Sequence, residues 1–537
     1  MSQRAPIGLL VIALAASAAL LFSLDSRLTF VGDGWELLAG RPDWSAETFL
    51  QPFNEHPIVL PALVYKVLLT LFGMDSALPF YAVSISLFLL CAVLLFAYMR
   101  RRVGDWAALA GALLVLFLGA AHEDLLWEFQ MGFFGSIAAG LGALLALDRE
   151  DRLGDRAASL LLLTSTACST LGIPFILAAL AKLALGPKPW RRRAYVPLLP
   201  LALYAIWWLG SGHSAGSEIG LADVPDLPRY VFDAAAAGIA SLLGRAPIAS
   251  SGNPPLLAQL LTVVLAASLV YWVGRRRHIP TGLVVGLVLT LAFWGLLGLD
   301  RGPQRFSSRF QYPSAVFLLI VAAEALRGQR LPRLVAVVLA VVAAAAVAGG
   351  VSLLQQRYSD TWEPTANQIR ATLAVIDIAG ADARPGYPIS LPPSIFLPVE
   401  QYREARRKHG TPAFSEARLL AAADPQRQIA DMTLAAATGL QLRAPAGVRR
   451  LRNCRVLDRS DATGAGTRLS SAGRFQLENR GAGGVTLALG RFSHTTPAQL
   501  GYIPAGASRS LHLRPDSSPR AWRLSAAGGP VRLCAIR

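Results

Sequence analysis

The chain has 537 residues, of which 53% are hydrophobic and only 16% are charged, and its mean hydropathy is +0.44. This composition excludes an ordinary soluble enzyme and is typical of a multi-pass membrane protein. The net charge of +17 does not indicate a nucleic-acid partner, because much of the lysine and arginine stands in short runs between apolar segments, where it reports membrane topology.

The first apolar segment covers residues 5–24 and is long enough to cross a bilayer. It lacks a clear small-residue cleavage site, so we expect an uncleaved anchor. Residues 28–60 follow as a loop rich in acids and broken by Pro42, Pro52 and Pro57. Because structureless loops of this length are usually functional, we expect this loop to form the acidic half of an active site at the outer membrane surface.

Four basic runs are expected in the cytoplasm, namely residues 100–102, 188–193, 275–277 and 327–333. If residues 57–73 crossed the membrane, the first of these runs would lie outside. The segment is short, contains Pro61 and carries Lys66 in its middle, so we predict a helix that lies at the outer interface. About eleven spans then remain within residues 1–354, each near the length that a bilayer requires.

The same topology places three further loops outside, namely residues 122–130, 211–255 and 300–311. From residue 355 the composition becomes that of a soluble region, which we divide into a helical linker at 355–447 and a β-sandwich at 448–537. The predicted fold class is therefore an all-α polytopic membrane bundle with a C-terminal α+β region. If that region faces an oxidising compartment, Cys454 and Cys534 are expected to form a disulfide.

Carboxylates and arginines meet on the predicted outer face. The first loop and HEDLLWEFQ (122–130) supply acids, and DRGPQRFSSRFQY (300–312) supplies Arg301, Arg305 and Arg309. Ionisable groups at membrane depth are costly and are rarely retained without a role. A carboxylate can remove a proton from an acceptor hydroxyl, and guanidinium groups suit a phosphate. This pairing is what sugar transfer from a lipid phosphate requires.

These loops resemble those of the GT-C superfamily of glycosyltransferases that use polyprenyl-phosphate sugars, such as protein O-mannosyltransferases and aminoarabinose transferases. The likeness rests on GDGWE (32–36), on an expected juxtamembrane helix that ends in Leu-Phe-Gly, on NEHPIVLP (54–61) and on EDLLWEFQ (123–130). It covers roughly the first 350 residues and is mainly one of topology and loop chemistry. The β-rich tail is similar in kind to carbohydrate-binding modules.

The resemblance implies roles for individual residues. It implies that Asp33 is the general base, with Glu36 as the competing choice, and that Glu123 or Asp124 orients the acceptor or a metal. It implies a lipid-phosphate contact at Arg309, with Arg305 second. The other substrate-binding candidates are Glu55, His56, Trp127, Gln130 and Arg301.

Each assignment has a structural alternative. Asp33 could cap a short helix, Glu55 and His56 could cap the next one, and the arginines could pair with anionic lipid headgroups. The sequence requires no cofactor and leaves a divalent cation open. Cysteine and histidine spacing predicts no metal site.

We therefore expect a glycosyltransferase that moves a sugar from a polyprenyl phosphate to a glycan, lipid or protein acceptor. Its expected location is the bacterial cytoplasmic membrane, with the C-terminal region outside and membrane lipids around the bundle. The alternative is a protein without catalysis, either a transporter of lipid-linked saccharide or a scaffold that presents a glycan-binding domain. Transporters place ionisable residues near the midplane of the membrane, whereas the predicted spans are nearly free of charge.

Overall fold

The structure is a computed structural model that describes residues 4–54, 56–186, 188–214, 221–275, 279–300, 306–329, 332–445, 451–457, 467–470, 472–493 and 498–536. The chain divides into two compact units. The first unit comprises Met1–Leu28, Pro42–Leu68 and Leu78–Trp362. The second unit comprises Thr29–Arg41, Leu69–Ala77 and Glu363–Arg537.

The first unit is a bundle of helices that runs through most of the apolar sequence. Its helices are α1 (Arg4–Asp25), α2 (Ala46–Leu50), α3 (Val59–Phe72, whose last turn belongs to the second unit), α4 (Leu78–Val103), α5 (Asp105–Leu116), α6 (His122–Leu125), α7 (Met131–Leu147), α8 (Arg152–Cys168), α9 (Gly172–Ala184), α10 (Trp190–Arg193), α11 (Tyr195–Gly210), α12 (Leu227–Leu242), α13 (Leu256–Arg275), α14 (Thr281–Asp300), α15 (Gln311–Ala325) and α16 (Arg333–Arg357).

Seven helices in the described part of the chain are long and apolar enough to cross a membrane. Counted with the helical turns that continue them, they are Ala5–Asp25, Leu78–Val103, Asp105–Leu125 (α5 to α6), Glu128–Leu147 (ending with α7), Leu256–Arg275, Thr281–Asp300 and Arg333–Asp382 (beginning with α16). The helices α3, α9 and α11 are apolar but shorter. The chain is thus a multi-pass membrane protein, and the expected fold class is confirmed: a helical membrane bundle is followed by a β-rich C-terminal region.

The end of α1 and the beginning of α4 lie at the same end of the bundle. Asp25 closes α1 and interacts electrostatically with Tyr81, in the first turn of α4, whose hydroxyl donates to the Leu126 carbonyl oxygen at 3.2 Å. The chain between the two helices therefore makes no net crossing. Helix α3 is only 14 residues long, about 21 Å against a hydrocarbon core of about 30 Å. This agrees with the prediction that residues 57–73 do not span, but Lys66 is buried instead of exposed at an interface.

The predicted outer loop at 211–255 is not all loop, and that prediction was wrong at its centre. Helix α12 occupies 16 residues there and contacts α13, α14 and α15. Its buried face repeats at helical spacing with Tyr230, Ala234, Ala237 and Ser241. Small residues bury little apolar area each, so hydropathy gives a weak signal for such a helix.

Helix α16 approaches the end of α5 closely because both contact residues are glycines. A Cβ on Gly119 would overlap the carbonyl oxygen of Gly350, and a Cβ on Gly350 would overlap that of Phe117. Close approach of this kind is the usual reason for small residues at interfaces between membrane helices. The contact supports the short 3-10 turn Gly119–Ala121 from which the site described below continues.

The second unit begins with part of the predicted first loop. The indole Nε1 of Trp35 donates to the Phe30 carbonyl oxygen at 3.1 Å, and the Trp35 ring lies 6.3 Å from that of Tyr402. Trp35 is fully buried, so Thr29–Arg41 contributes to the core of this unit. A π-helical turn, Glu36–Gly40, follows.

The helical region that the sequence placed at 355–447 contains four helices and a hairpin. The helices are α17 (Glu363–Ala379), α18 (Val399–His409), α19 (Glu416–Ala421) and α20 (Asp424–Ala437), and the hairpin pairs β1 (Pro388–Leu391) with β2 (Ile395–Pro398). The hairpin was not predicted. Helix α16 continues through a π-helical turn, Tyr358–Trp362, into α17, so no break marks the predicted boundary at 354.

The last part of the chain forms two antiparallel four-stranded sheets in the orders β3-β10-β5-β8 and β4-β9-β6-β7. The strands are β3 (Leu451–Leu457), β4 (Thr467–Leu469), β5 (Gly473–Asn479), β6 (Val485–Gly490), β7 (Ala498–Ile503), β8 (Ser508–Leu513), β9 (Trp522–Ala527) and β10 (Val531–Ile536). The alternating residues that predicted the sandwich are buried, among them Leu477, Leu487 and Leu533. Cys454 and Cys534 form a disulfide with a Cα–Cα distance of 4.1 Å.

Candidate active site

The predicted acidic segment HEDLLWEFQ lies where α5 ends, in the first unit. It consists of α6 and the 3-10 turn Glu128–Gln130, which leads directly into α7. Ser308 holds it in place, because its Oγ donates to the Ala120 carbonyl oxygen at 2.6 Å and accepts from the Glu123 amide at 3.1 Å. We call this segment, residues 122–130, the HED segment, and the end of the bundle where it lies the HED end.

Glu123 makes hydrogen bonds to the neighbouring turn that carries Arg309. Its Oε2 accepts from the Ser307 hydroxyl at 2.7 Å and from the Arg309 amide at 3.1 Å. A carboxylate that accepts the first free amides of a helical turn acts as its cap. The turn is the 3-10 helix Ser308–Phe310, so Glu123 determines where the Arg309 backbone lies relative to the HED segment. The sequence expected the two residues in one site, and the structure brings them into direct contact.

Asp124 is only 1% exposed, and neither of its carboxylate oxygens makes a hydrogen bond of ordinary geometry within the described residues. The charge of Arg309 and the backbone amide of Tyr312 act on it electrostatically. Burying a carboxylate without full hydrogen bonding costs about 3 kcal/mol. Such a group retained at the end of a membrane bundle is suited to a ligand hydroxyl, which would supply the missing donor.

A further buried acid of the HED segment, Glu128, lies near Asp25, which the sequence reasoning did not include. Glu128 is fully buried and its Oε1 accepts from the Tyr65 hydroxyl at 3.4 Å. Asp25 is 1% exposed and interacts electrostatically with Glu128. The signal for Asp25 was present, because an acid at the end of an otherwise uncharged apolar span is unusual.

Aromatic rings line the same segment. The centroid of the Trp127 ring lies 6.4 Å from that of Trp362 and 6.0 Å from that of Phe129. The Trp362 indole Nε1 donates to His122 Nδ1 at 3.1 Å, so that nitrogen carries no proton. Trp127 and Gln130 are buried, hence Trp127 is not a lipid-facing belt residue. Trp362 was missed because it lies more than 200 residues away in sequence.

The described contacts of the remaining candidates lie in other parts of the two units. His56 Nδ1 lies 2.5 Å from Thr170 Oγ1, between α8 and α9. Asp33 is half-buried and Glu36 accepts from Arg41 Nε at 3.5 Å, and both belong to the second unit. Glu55, Arg301 and Arg305 lie outside the described residues. Within the described ranges, no group of three or more His, Cys, Asp or Glu side chains is placed to hold a metal ion.

No protein-family model matches the chain, and no curated protein matches it. Solved structures are similar at low identity. ArnT from Cupriavidus metallidurans bound to undecaprenyl phosphate is 14% identical over 76% of this chain and 86% of that one, with a TM-score of 0.45. The archaeal oligosaccharyltransferase AglB from Archaeoglobus fulgidus, in complex with an inhibitory peptide and a dolichol-phosphate, is 14% identical over 69% of this chain and 58% of that one, with a TM-score of 0.44.

The arabinofuranosyltransferase AftD from Mycobacteria is 12% identical over 100% of this chain and 60% of that one, with a TM-score of 0.39. Two of these three structures hold a polyprenyl phosphate, and two are named for sugar transfer. Likeness at this level assigns no activity to the present chain. The functional conclusion below therefore depends on the residues of the HED end.

Proposed function

We propose that the chain is a membrane glycosyltransferase that moves a sugar from a polyprenyl phosphate to a hydroxyl group of a glycan, lipid or protein acceptor. The observation that carries the proposal is Asp124, a buried carboxylate without ordinary hydrogen bonds, held beside the Arg309 turn by Glu123. A carboxylate and a guanidinium group in one place serve the two ends of the reaction. The Asp124 carboxylate binds the acceptor, and the Arg309 guanidinium group stabilises the polyprenyl phosphate as it leaves.

Each group at the HED end has a defined role in this reaction. The Arg309 guanidinium holds the phosphate of the donor and neutralises the charge that grows on it as the glycosidic bond breaks. Asp124 accepts a hydrogen bond from the acceptor. The indole rings of Trp127 and Trp362 offer apolar faces for a sugar ring. Asp33, the base implied by the family resemblance, keeps that assignment as a prediction with its own variant below.

The proposal places the HED end outside the cytoplasm. Basic residues collect at the opposite end of the bundle, which the positive-inside rule assigns to the cytoplasm. The Cys454–Cys534 disulfide supports an oxidising compartment for the C-terminal sandwich. The inner membrane of a bacterium, with the C-terminal region outside, is the location that suits both features.

Release of undecaprenyl phosphate tests the function. The full chain in nanodiscs would be given a panel of undecaprenyl-phosphate monosaccharides, with native membranes that lack the chain as the source of acceptor. We expect Asp124→Asn and Arg309→Gln each to lower the rate by at least about 100-fold, since each removes a charge from the reacting centre. Asp33→Asn is expected to do the same, and mass spectrometry would follow the product.

Glu47→Gln provides the matched control, because Glu47 is an exposed acid in α2. It should retain the wild-type rate and the same yield of folded protein. Wild-type rates in both Asp124→Asn and Arg309→Gln would refute the site. Movement of a labelled lipid-linked sugar across the membrane, without release of undecaprenyl phosphate, would instead favour the transporter alternative.

A further inference from the structure

A polar cavity of about 370 Å³ lies at the end of the bundle opposite the HED end. The helices that reach it are α4, α7, α9, α10, α14 and α15. From Tyr81 to Arg102 the helix α4 rises about 32 Å, so the cavity is well separated from the HED segment. The charged side chains that line it are Arg101, Arg102, Asp148, Glu150, Lys182, Arg193, Glu324 and Arg327.

The floor of the cavity is a buried network of ion pairs. Glu324 is 1% exposed, accepts from the Tyr98 hydroxyl at 2.7 Å and pairs with the Arg102 guanidinium. Asp148 pairs with Arg102 at 3.2 Å and with the Lys182 ammonium. The positive charges of Arg102 and Lys182 therefore offset the negative charges of Glu324 and Asp148, and these ion pairs belong to the folded core.

Gly282 allows helix α14 to approach this buried network closely. A Cβ at that position would overlap the carboxylate of Glu324. Helix α14 can therefore pass directly over a buried acid on α15, where any larger residue would displace it.

Two arginines at the rim make long ion pairs with the acids of the floor. Arg101 and Arg327 are 54% and 60% exposed, and their ion pairs with Asp148 and Glu324 span 3.9 and 3.7 Å. These distances are too long for hydrogen bonds. Five of the lining side chains are cationic and three are anionic, so the cavity keeps a formal charge of +2. Arg101 and Arg327, at the mouth of the cavity, therefore supply this excess positive charge.

We propose that this cavity binds a phosphate-bearing anion, with the phosphate held between Arg101 and Arg327. Guanidinium groups present forked donors that match phosphate oxygens. The positive-inside rule assigns this end to the cytoplasm, where basic clefts between membrane helices receive anionic lipid headgroups. The same chemistry would hold a soluble phosphate. The proposal does not depend on the glycosyltransferase assignment, since no residue is shared with the HED end.

Binding to the full chain in a zwitterionic detergent tests this site. The probes are dioctanoyl phosphatidylglycerol, dioctanoyl phosphatidylcholine and sodium phosphate, titrated while native mass spectrometry counts bound molecules. We expect phosphatidylglycerol or phosphate to bind in a saturable way and phosphatidylcholine to bind much more weakly. The double variant Arg101→Gln/Arg327→Gln should weaken binding by about tenfold or more, because it removes two charge-assisted contacts.

Arg100→Gln is the matched control, because Arg100 belongs to the same basic run but pairs with Asp105 and does not line the cavity. Arg101→Lys/Arg327→Lys keeps both charges and should retain much of the affinity, which separates a lost ligand contact from a lost fold. Preference for phosphatidylglycerol would identify a lipid headgroup as the source, and binding of phosphate alone would identify a soluble one. No saturable binding of either probe, or an equal loss in Arg100→Gln, would overturn the proposal.

Discussion

At the scale of single residues, the sequence identified the acids of the HED segment but not how they are used. Glu123 and Asp124 are neighbours with the same chemistry, yet one caps the Arg309 turn and the other is buried without ordinary hydrogen bonds. Only tertiary contacts separate such roles, since both residues lie in one turn of helix. Asp25 was predictable in principle, because it is an acid that ends an apolar span.

Asp148 gives a prediction about pH at this scale. Burial by itself raises the pKa of Asp148, but the Lys182 and Arg102 cations hold the pKa below its usual value. The unfolded chain has a carboxyl pKa of about 3.9. The pairs therefore stabilise the fold fully above that pH, and the contribution is lost as the pH falls through the lower folded value.

The variant Asp148→Asn removes this titration, and at pH 7 we expect it to lower the free energy of unfolding by about 3 kcal/mol. The difference in the free energy of unfolding between wild type and variant should narrow as the pH is lowered from about 5 to about 3. Thermal unfolding midpoints in detergent would measure it. A difference that widened in acid would contradict the assignment.

At the scale of elements, hydropathy and charge were enough to predict a bundle of apolar membrane helices. About eleven spans were expected, and seven helices in the described part of the chain are long and apolar enough to cross a membrane. The argument that residues 57–73 do not cross came from the Arg100–Arg102 run and agrees with the contact between α1 and α4. Helix α12 was missed because its buried face is built largely from alanine. The β1–β2 hairpin was missed because four-residue strands give too few alternating positions to recognise.

The contact between α16 and the end of α5 leads to a prediction about glycine. Gly350→Ala should lower the free energy of unfolding by about 1–3 kcal/mol, because the new methyl group overlaps the Phe117 carbonyl. Gly295→Ala is the matched control within α14, where a Cβ would meet no other atom within 4 Å. It should be neutral or stabilising by up to about 1 kcal/mol. Equal thermal midpoints for the two variants would refute the close contact.

At the scale of the whole molecule, the division into two units could not be predicted from composition. The sequence analysis read residues 28–60 as one outer loop, whereas the packing of Trp35 on Tyr402 groups Thr29–Arg41 with the second unit. The sandwich could be predicted, because its strands alternate buried and exposed residues clearly. The Cys454–Cys534 pairing followed from compartment and position, since the two cysteines flank that region.

The disulfide supplies the prediction at this scale. It joins residues 80 apart, so its loss should lower the free energy of unfolding of the sandwich by about 4 kcal/mol. Hydrogen exchange at the amides of β5 and β10 should speed up in Cys454→Ser/Cys534→Ser and in reduced wild-type protein. Cys91→Ser/Cys168→Ser changes two buried free cysteines of the first unit and should leave that exchange unchanged. Equal exchange in all forms would show that the disulfide does not stabilise the sandwich.

The sheet order β3-β10-β5-β8 has a consequence for how the protein is made. Strand β10 is synthesised after every other strand described, yet it occupies the middle of its sheet, between β3 and β5. Until β10 leaves the ribosome, β3 lacks its partner among the described strands of this sheet, and its open edge can pair with other chains. This sheet can therefore be completed only after β10 has been synthesised.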